Sequence, residues 1–199
     1  IILCEIQKGN INKEIDLLIR KSLNFLRSQK NDLSTGAKSI FPSAVDYSGV
    51  KGDSRISWCY GDIGNAIAIL NVGNLYKDQN LINEAEQIMM HTSLRRNLKE
   101  NYVVDSAICH GTAGLAHVFN RFYQSTGKQE FKDTAIYWID ETLKMGSFED
   151  GFAGFKTFHG EKGYVNSTML LEGVAGIGLT LIGAISDVEP KWDRCLLLS

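Results

Sequence analysis

The chain has 199 residues, 44% of them hydrophobic, and its 21 basic and 23 acidic side chains give a formal charge of -2. That length can bury one good core, and the dispersed, nearly balanced charge argues against nucleic acid or an anionic membrane as partner. Four cysteines at 4, 59, 109 and 195 are too scattered for a disulfide framework and, with the metal-like motifs around two of them, favour a reducing cytosol, and no apolar run reaches membrane-spanning length.

The chain opens Ile1-Ile2-Leu3-Cys4-Glu5-Ile6 with neither methionine nor cap, as if midway along a helix, so a longer native protein is expected. Residues 1–8 read as the last turns of that helix, ended by Gly9-Asn10. From Ile11 to Leu26, a stripe of Ile15, Leu18, Ile19, Ser22 and Leu26 predicts an amphipathic helix. Residues 29–57 are polar and glycine-bearing, with Pro42; this long loop leads to Arg55 and Cys59 and is a candidate rim or lid.

Gly61 to Tyr76 is apolar on nearly every side, which predicts a helix surrounded by others. The stretch 79–97 mixes charges with Leu81, Ile82, Ala85, Ile88 and Met89 and predicts an outer helix. Residues 111–124 are again mostly apolar. The 129–143 stretch is mixed, with Phe131, Ala135, Ile136, Ile139 and Leu143 expected inward. A glycine-bearing loop over 145–168 precedes a third apolar helix over 170–185, whose Gly173, Gly176, Gly178 and Gly183 call for tight packing. The alternation predicts an all-α fold of repeated helical hairpins, a solenoid or a ring, of which three units form an arc.

One pattern recurs along these apolar helices. In Trp58-Cys59-Tyr60-Gly61-Asp62-Ile63-Gly64 and in Ile108-Cys109-His110-Gly111-Thr112-Ala113-Gly114, a cysteine stands two residues before a Gly-x-x-Gly pair. A third copy, Leu171-Glu172-Gly173-Val174-Ala175-Gly176, has Leu171 in the cysteine's place. The first glycines are 50 and then 62 residues apart, a period suited to two helices per repeat. Cys59 and Cys109 therefore hold equivalent places at helix mouths, where amide dipoles favour thiolate. Unpaired cysteines are commonly buried packing residues. The shared offset and the adjacent His110 favour metal instead, because two thiols and an imidazole are zinc ligands. With no fourth Cys or His beside them, the site either keeps an open position or draws its last ligand from elsewhere.

The remaining polar signals carry less. His117, seven residues after His110, is expected as a hydrogen-bonded core histidine and His91 as a surface residue, while a place for His159 at the rim is the lesser alternative. Asp62 and Glu172 sit at helix starts, where a carboxylate is favoured for local reasons. Asp105 either orients His110 or serves as a cap or solvent-facing loop residue. Gly151-Phe152-Ala153-Gly154 comes too soon before Gly173 for another hairpin, and no Gly-Lys-Ser/Thr follows it, which argues against a nucleotide loop.

The Trp-Cys-Tyr-Gly and Cys-His-Gly-x-x-Gly motifs, Leu-Leu-Glu-Gly-Val-Ala-Gly-Ile and the terminal Trp192-Asp193 together resemble the C-terminal half of the lanthionine synthetase C family, the lantibiotic cyclases. The resemblance covers essentially the whole chain. It implies an α/α toroid, with residues 1–199 as the C-terminal part of a single domain and an arc of about three hairpins from the larger ring. It implies Zn2+ as cofactor, held by Cys59, Cys109 and His110. Arg55 would stabilise a developing enolate or position the peptide, and Tyr60 would orient it. The implied reaction adds cysteine thiols of a dehydrated precursor peptide to dehydroalanine or dehydrobutyrine, forming thioether rings.

Further implied partners are a lantibiotic dehydratase and transporter, and the N-terminal half of the toroid, which would supply the acid/base histidine and a nearby aspartate. The implied location is cytoplasmic, membrane-associated through that complex. Two other readings stay open: a zinc-dependent glutathione-type thiol transferase, and a non-catalytic peptide-binding scaffold.

Overall fold

Short polar caps and close helix contacts set the architecture. The computed structural model describes residues 1–9, 12–45 and 52–198. Its helices are α1 (Ile2–Gly9), α2 (Lys13–Ser28), α3 (Gly61–Tyr76), α4 (Gln79–Ser93), α5 (Thr112–Thr126), α6 (Gln129–Met145) and α7 (Val174–Ile185). Short 3-10 turns and one ribbon of β1 (Thr157–Phe158) and β2 (Tyr164–Val165) lie between or after them. The chain divides into two compact units, the first Ile1–Arg55 with Tyr60–Leu94, the second Ile56–Cys59 with Arg95–Ser199.

In the first unit, Asn12 starts α2 by accepting the Glu14 and Ile15 N–H groups at 2.8 and 3.2 Å. Asp78 starts α4 in the same way through Asn80 and Leu81. Such caps each contribute about 1 kcal/mol. Helix α3 buries Ile63, Ala66, Ile67, Ile69 and Val72, and Gly73 lets α4 approach: a Cβ there would lie 2.9 Å from Ile82 Cγ1. The α2 stripe is thinner than its sequence suggests. Ile19 is buried, whereas Leu18 is exposed.

The described part of the long 29–57 loop is pinned rather than lid-like. Asp53 Oδ1 accepts the Lys38 and Ser39 N–H groups at 2.8 and 2.9 Å, and Asp62 Oδ1 accepts that of Phe41 at 2.7 Å. Phe41, Ser39 and Ser54 are buried. Asp62 thus does more than favour a helix start, since it fixes the loop onto α3. Residues 46–51 of the expected rim or lid, Asn10 of the expected Gly9-Asn10 helix end and Ile11, the expected start of the next helix, lie outside the described residues.

In the second unit, α5 buries Ala113, Leu115, Ala116, Val118, Phe119 and Phe122. The Phe131 ring of α6 packs against Phe119 and Phe122 at centroid distances of 6.2 and 5.6 Å. The inward face of α6 differs from the hydropathy reading. Phe131, Thr134, Ala135, Trp138 and Thr142 are buried, and Ile136 and Leu143 are exposed. Both threonines enter the core because helix carbonyls satisfy them: Thr134 Oγ1 donates to Glu130 O at 2.7 Å, and Thr142 Oγ1 lies 2.8 Å from Trp138 O.

Helix α7 begins at Val174 instead of 170, because Gly173 is its N-cap and Val174 N–H donates to Ser167 O at 2.9 Å. Nor is it surrounded. Ile182 is 59% and Ile185 88% exposed. Of its glycines, Gly176 is required by contact, since a Cβ would strike Leu170 O and would sit 2.5 Å from Ile108 Cγ1. At Gly178 nothing lies within 4 Å of that position. Gly178→Ala is therefore expected to raise stability by about 0.5–1 kcal/mol, and Gly176→Ala to lower it, in urea unfolding followed by circular dichroism.

Candidate metal centre

The second motif is a buried turn before it is a site. Asp105, Ser106, Ala107 and Ile108 are all buried, and Asp105 O accepts the Thr112 N–H at 3.0 Å while Ala107 O accepts that of Gly111 at 2.9 Å. There is no room for side chains at the two glycines. A Cβ on Gly111 would come within 2.5 Å of Asp105 O, and one on Gly114 would overlap Ile108 O. The third motif repeats this geometry. A Cβ on Gly173 would meet Met169 N at 2.5 Å, and one on Gly176 would overlap Leu170 O, six residues upstream as Ile108 is of Gly114.

The two turns are joined directly. Cys109 N–H donates to Leu171 O at 3.0 Å, a bond between positions that are equivalent in the repeat. Their next residues, His110 and Glu172, are equivalent too. The ligand atoms of Cys109, His110 and Glu172 all lie within 4.8 Å of one another, each residue half-buried. A tetrahedral zinc site with bonds of 2.0–2.3 Å spaces its donors about 3.3–3.8 Å apart, so modest side-chain rotation closes this group on an ion. Thiol, imidazole and carboxylate are all donors zinc accepts, and the residues present fit the metal.

Two further side chains surround the trio. Asp105 is buried, against the solvent-facing alternative. Its Oδ1 accepts the Ala107 N–H at 3.0 Å and its Oδ2 the Phe158 N–H at 2.9 Å, with His110 Nε2 3.9 Å from Oδ2. The β1–β2 ribbon lies over both turns. Besides Phe158, Thr157 Oγ1 donates to Glu172 O at 2.6 Å and Tyr164 Oη to Val104 O at 2.8 Å. His159, the residue after β1, reaches the rim with its Nε2 3.9 Å from Glu172 Oε2. The sequence placed that histidine there only as the lesser alternative.

Cys59 belongs to the same unit as Cys109 and His110, held there by Ile56 N–H donating to Asn101 O at 3.3 Å. It is exposed, with its Sγ 3.8 Å from Ser57 Oγ, and it is not one of the trio. Arg55, half-buried, and Tyr60, exposed, belong to the first unit. Cys4 and Cys195 stand apart from the trio as well. Cys4 is buried in the first unit, where burial pushes its thiol up, and Cys195 Sγ contacts Trp192 O at 3.0 Å. His117 is the expected core histidine: its Nε2 lies 3.0 Å from Asp193 Oδ2, which also takes Arg121, and its ring packs on Trp192.

Residues 1–197 match the family described as lanthionine synthetase C-like protein. The chain belongs to that family. Nisin cyclase, a solved structure, is similar with a TM-score of 0.75 and 18% identity over 99% of this chain and 46% of its own. The likeness assigns the α/α toroid fold class, and this lanthionine synthetase C-like chain spans about half the length of nisin cyclase. No helix among its described residues is long and apolar enough to cross a membrane.

The sequence places Glu172 at a helix start, where its carboxylate is locally favoured, and does not indicate its approach to Cys109 and His110. The helix starts after it, at Val174, with Gly173 as cap. The signal that would have found it is positional, because Glu172 is to the third motif what His110 is to the second. For the supporting network, Asp105→Ala is expected to cost roughly 1.5–3 kcal/mol per charge-assisted hydrogen bond lost. Hydrogen exchange checks it: the Phe158 amide should lose its protection in the variant and keep it in the parent.

Proposed function

We propose that this chain is the zinc-bearing portion of a lanthionine cyclase that closes thioether rings in a dehydrated precursor peptide during lantibiotic biosynthesis. One observation carries the reading: a thiol, an imidazole and a carboxylate meet at the repeated motif turns of a lanthionine synthetase C-like chain. Cys59, Cys109 and His110 would hold the ion. Bound there, zinc supplies Lewis acidity that keeps an incoming thiol deprotonated and nucleophilic at neutral pH.

The chain's own residues do the rest by position. The buried Asp105 turn and the Cys109–Leu171 hydrogen bond hold the donor-bearing backbone rigid, so little reorganisation is needed when a peptide arrives. Ring closure forms a bond from the peptide's cysteine sulfur to the β-carbon of dehydroalanine or dehydrobutyrine. Charge then develops on the adjoining amide as an enolate, and a proton delivered to the α-carbon completes the addition with no change in mass. Arg55 balances the enolate charge or positions the peptide, and Tyr60 orients it. The acid/base histidine and an aspartate would come from the other half of the toroid, with residues 1–199 forming the C-terminal part of that domain. A dehydratase and a transporter are the partners such a substrate requires, and a cytoplasmic complex at the membrane is the setting proposed.

In the complete native protein, replacing Cys59, Cys109 or His110 by Ala is expected to remove both zinc and ring formation. Arg55→Ala should keep zinc near one equivalent and slow ring formation by roughly 100-fold to 1000-fold, the usual effect of losing one strong contact to developing charge. Zinc content and free peptide thiols are measured on the same samples. Normal kinetics in Arg55→Ala would remove Arg55 from the reaction, and full zinc with full activity in Cys109→Ala would reject the metal reading.

A further inference from the structure

Three features of Glu172 are unexplained by a role in folding alone. Its backbone is fixed on both sides, by Cys109 N–H on the preceding carbonyl of Leu171 and by Thr157 Oγ1 on its own carbonyl. Its side chain is 39% exposed, so it stabilises no core, and α7 is capped by Gly173 rather than by it. Its carboxylate nevertheless points to the thiol of Cys109 and the ring of His110, within 4.8 Å. The repeat explains how it comes to be there: the turn that delivers His110 to the site is built again at residues 167–176 and delivers Glu172.

We propose that Glu172 is an additional protein ligand of this centre, occupying the position that a substrate thiol must take, and that His159 positions its carboxylate. The inference rests on the metal reading above. It concerns a borderline divalent cation, for which a mixed sulfur, nitrogen and oxygen donor set is suitable. Before a peptide binds, the carboxylate completes the donor set. An arriving thiol displaces it, and the displaced carboxylate has a neighbour within reach, since His159 Nε2 lies 3.9 Å from its Oε2. His159 is held there by the ribbon: its own N–H donates to Gly163 O at 2.8 Å, and Phe158 before it is tied to Asp105. A histidine beside a ligating carboxylate restricts the carboxylate's orientation, as outer partners of metal ligands commonly do.

Cobalt(II), loaded into chelator-stripped native protein, gives a readout independent of ring formation. Metal affinity is measured by chelator competition, and coordination by the visible d–d bands and the sulfur-to-cobalt charge-transfer band. Glu172→Gln is expected to weaken cobalt binding about tenfold or more and to shift the d–d bands, while keeping the thiolate charge-transfer band from Cys59 and Cys109. Added 2-mercaptoethanol should then saturate the variant's cobalt at about one tenth of the concentration that the parent protein needs. His159→Gln should move both quantities in the same direction by a smaller factor. Glu172→Asp, which keeps the charge but draws it back by one methylene, should fall between parent and Gln, and it serves as the test if Glu172→Gln fails to melt cooperatively.

Unchanged or tightened cobalt binding, with an unchanged thiol titration, would overturn the role of Glu172 and leave the metal centre standing. A parent protein that takes up no cobalt, or whose charge-transfer band survives replacement of both Cys59 and Cys109 by Ala, would overturn both.

Discussion

The hydrogen bond from Cys109 N–H to Leu171 O is the contact on which the candidate centre depends. It sets two motif turns, far apart in sequence, side by side in register, so that the residues after them, His110 and Glu172, face one space. A backbone bond of this kind needs the chains to approach closely, and Gly176 permits that: a Cβ there would run into Ile108 Cγ1 and Leu170 O. The glycines of the repeat are therefore steric requirements of the site, and the helices α5 and α7 are the elements they bring together.

A second layer converts proximity into rigidity. Asp105 is buried, yet its charge is met by two backbone N–H groups, one within its own turn and one on the ribbon. Isolated burial of a carboxylate is costly, and it is tolerated where hydrogen bonds of this quality satisfy it. The result is a strap. Thr157 and Phe158 fasten it to the third and second turns respectively, and the next residue, His159, arrives beside Glu172 without depending on loop flexibility. Asp53 and Asp62 play a comparable structural part in the first unit, Asp53 accepting two backbone N–H groups of the 29–57 loop and Asp62 that of Phe41.

Periodicity made the helices legible, and Gly61–Tyr76 was readable to its last residue because apolar residues, a glycine turn and the following Asp78 cap all agree there. The α6 face was misread because hydropathy ranks Ile136 and Leu143 above Thr134 and Thr142. Hydropathy alone does not register that a threonine returning its hydroxyl to a helix carbonyl is at home in a core. The motif sets Cys109 and His110 side by side in the sequence. The approach of Glu172 and His159 to them was not legible, because it depends on a backbone bond between turns and on a two-residue ribbon, neither of which leaves a compositional trace. Residues 145–168 read as loop for the same reason: β1 and β2 are too short for alternation to register.

The repeat also explains why the ligand types differ while the geometry is kept. Duplicated turns inherit their backbone from their glycines, so Gly111 and Gly173, and likewise Gly114 and Gly176, meet the same kinds of atoms. The two residues ahead of each first glycine differ between the copies. In the second copy they are cysteine and histidine, in the third leucine and glutamate. Leu171 joins the turns through its carbonyl, which any residue supplies. What the third turn would contribute to the proposed centre instead is a harder, more exchangeable oxygen donor beside the two sulfurs and the nitrogen. A centre composed of identical thiolates would hold its ion tightly and admit a substrate thiol poorly. Unequal donors on equivalent turns would, in the proposed centre, leave one ligand that an incoming sulfur can replace.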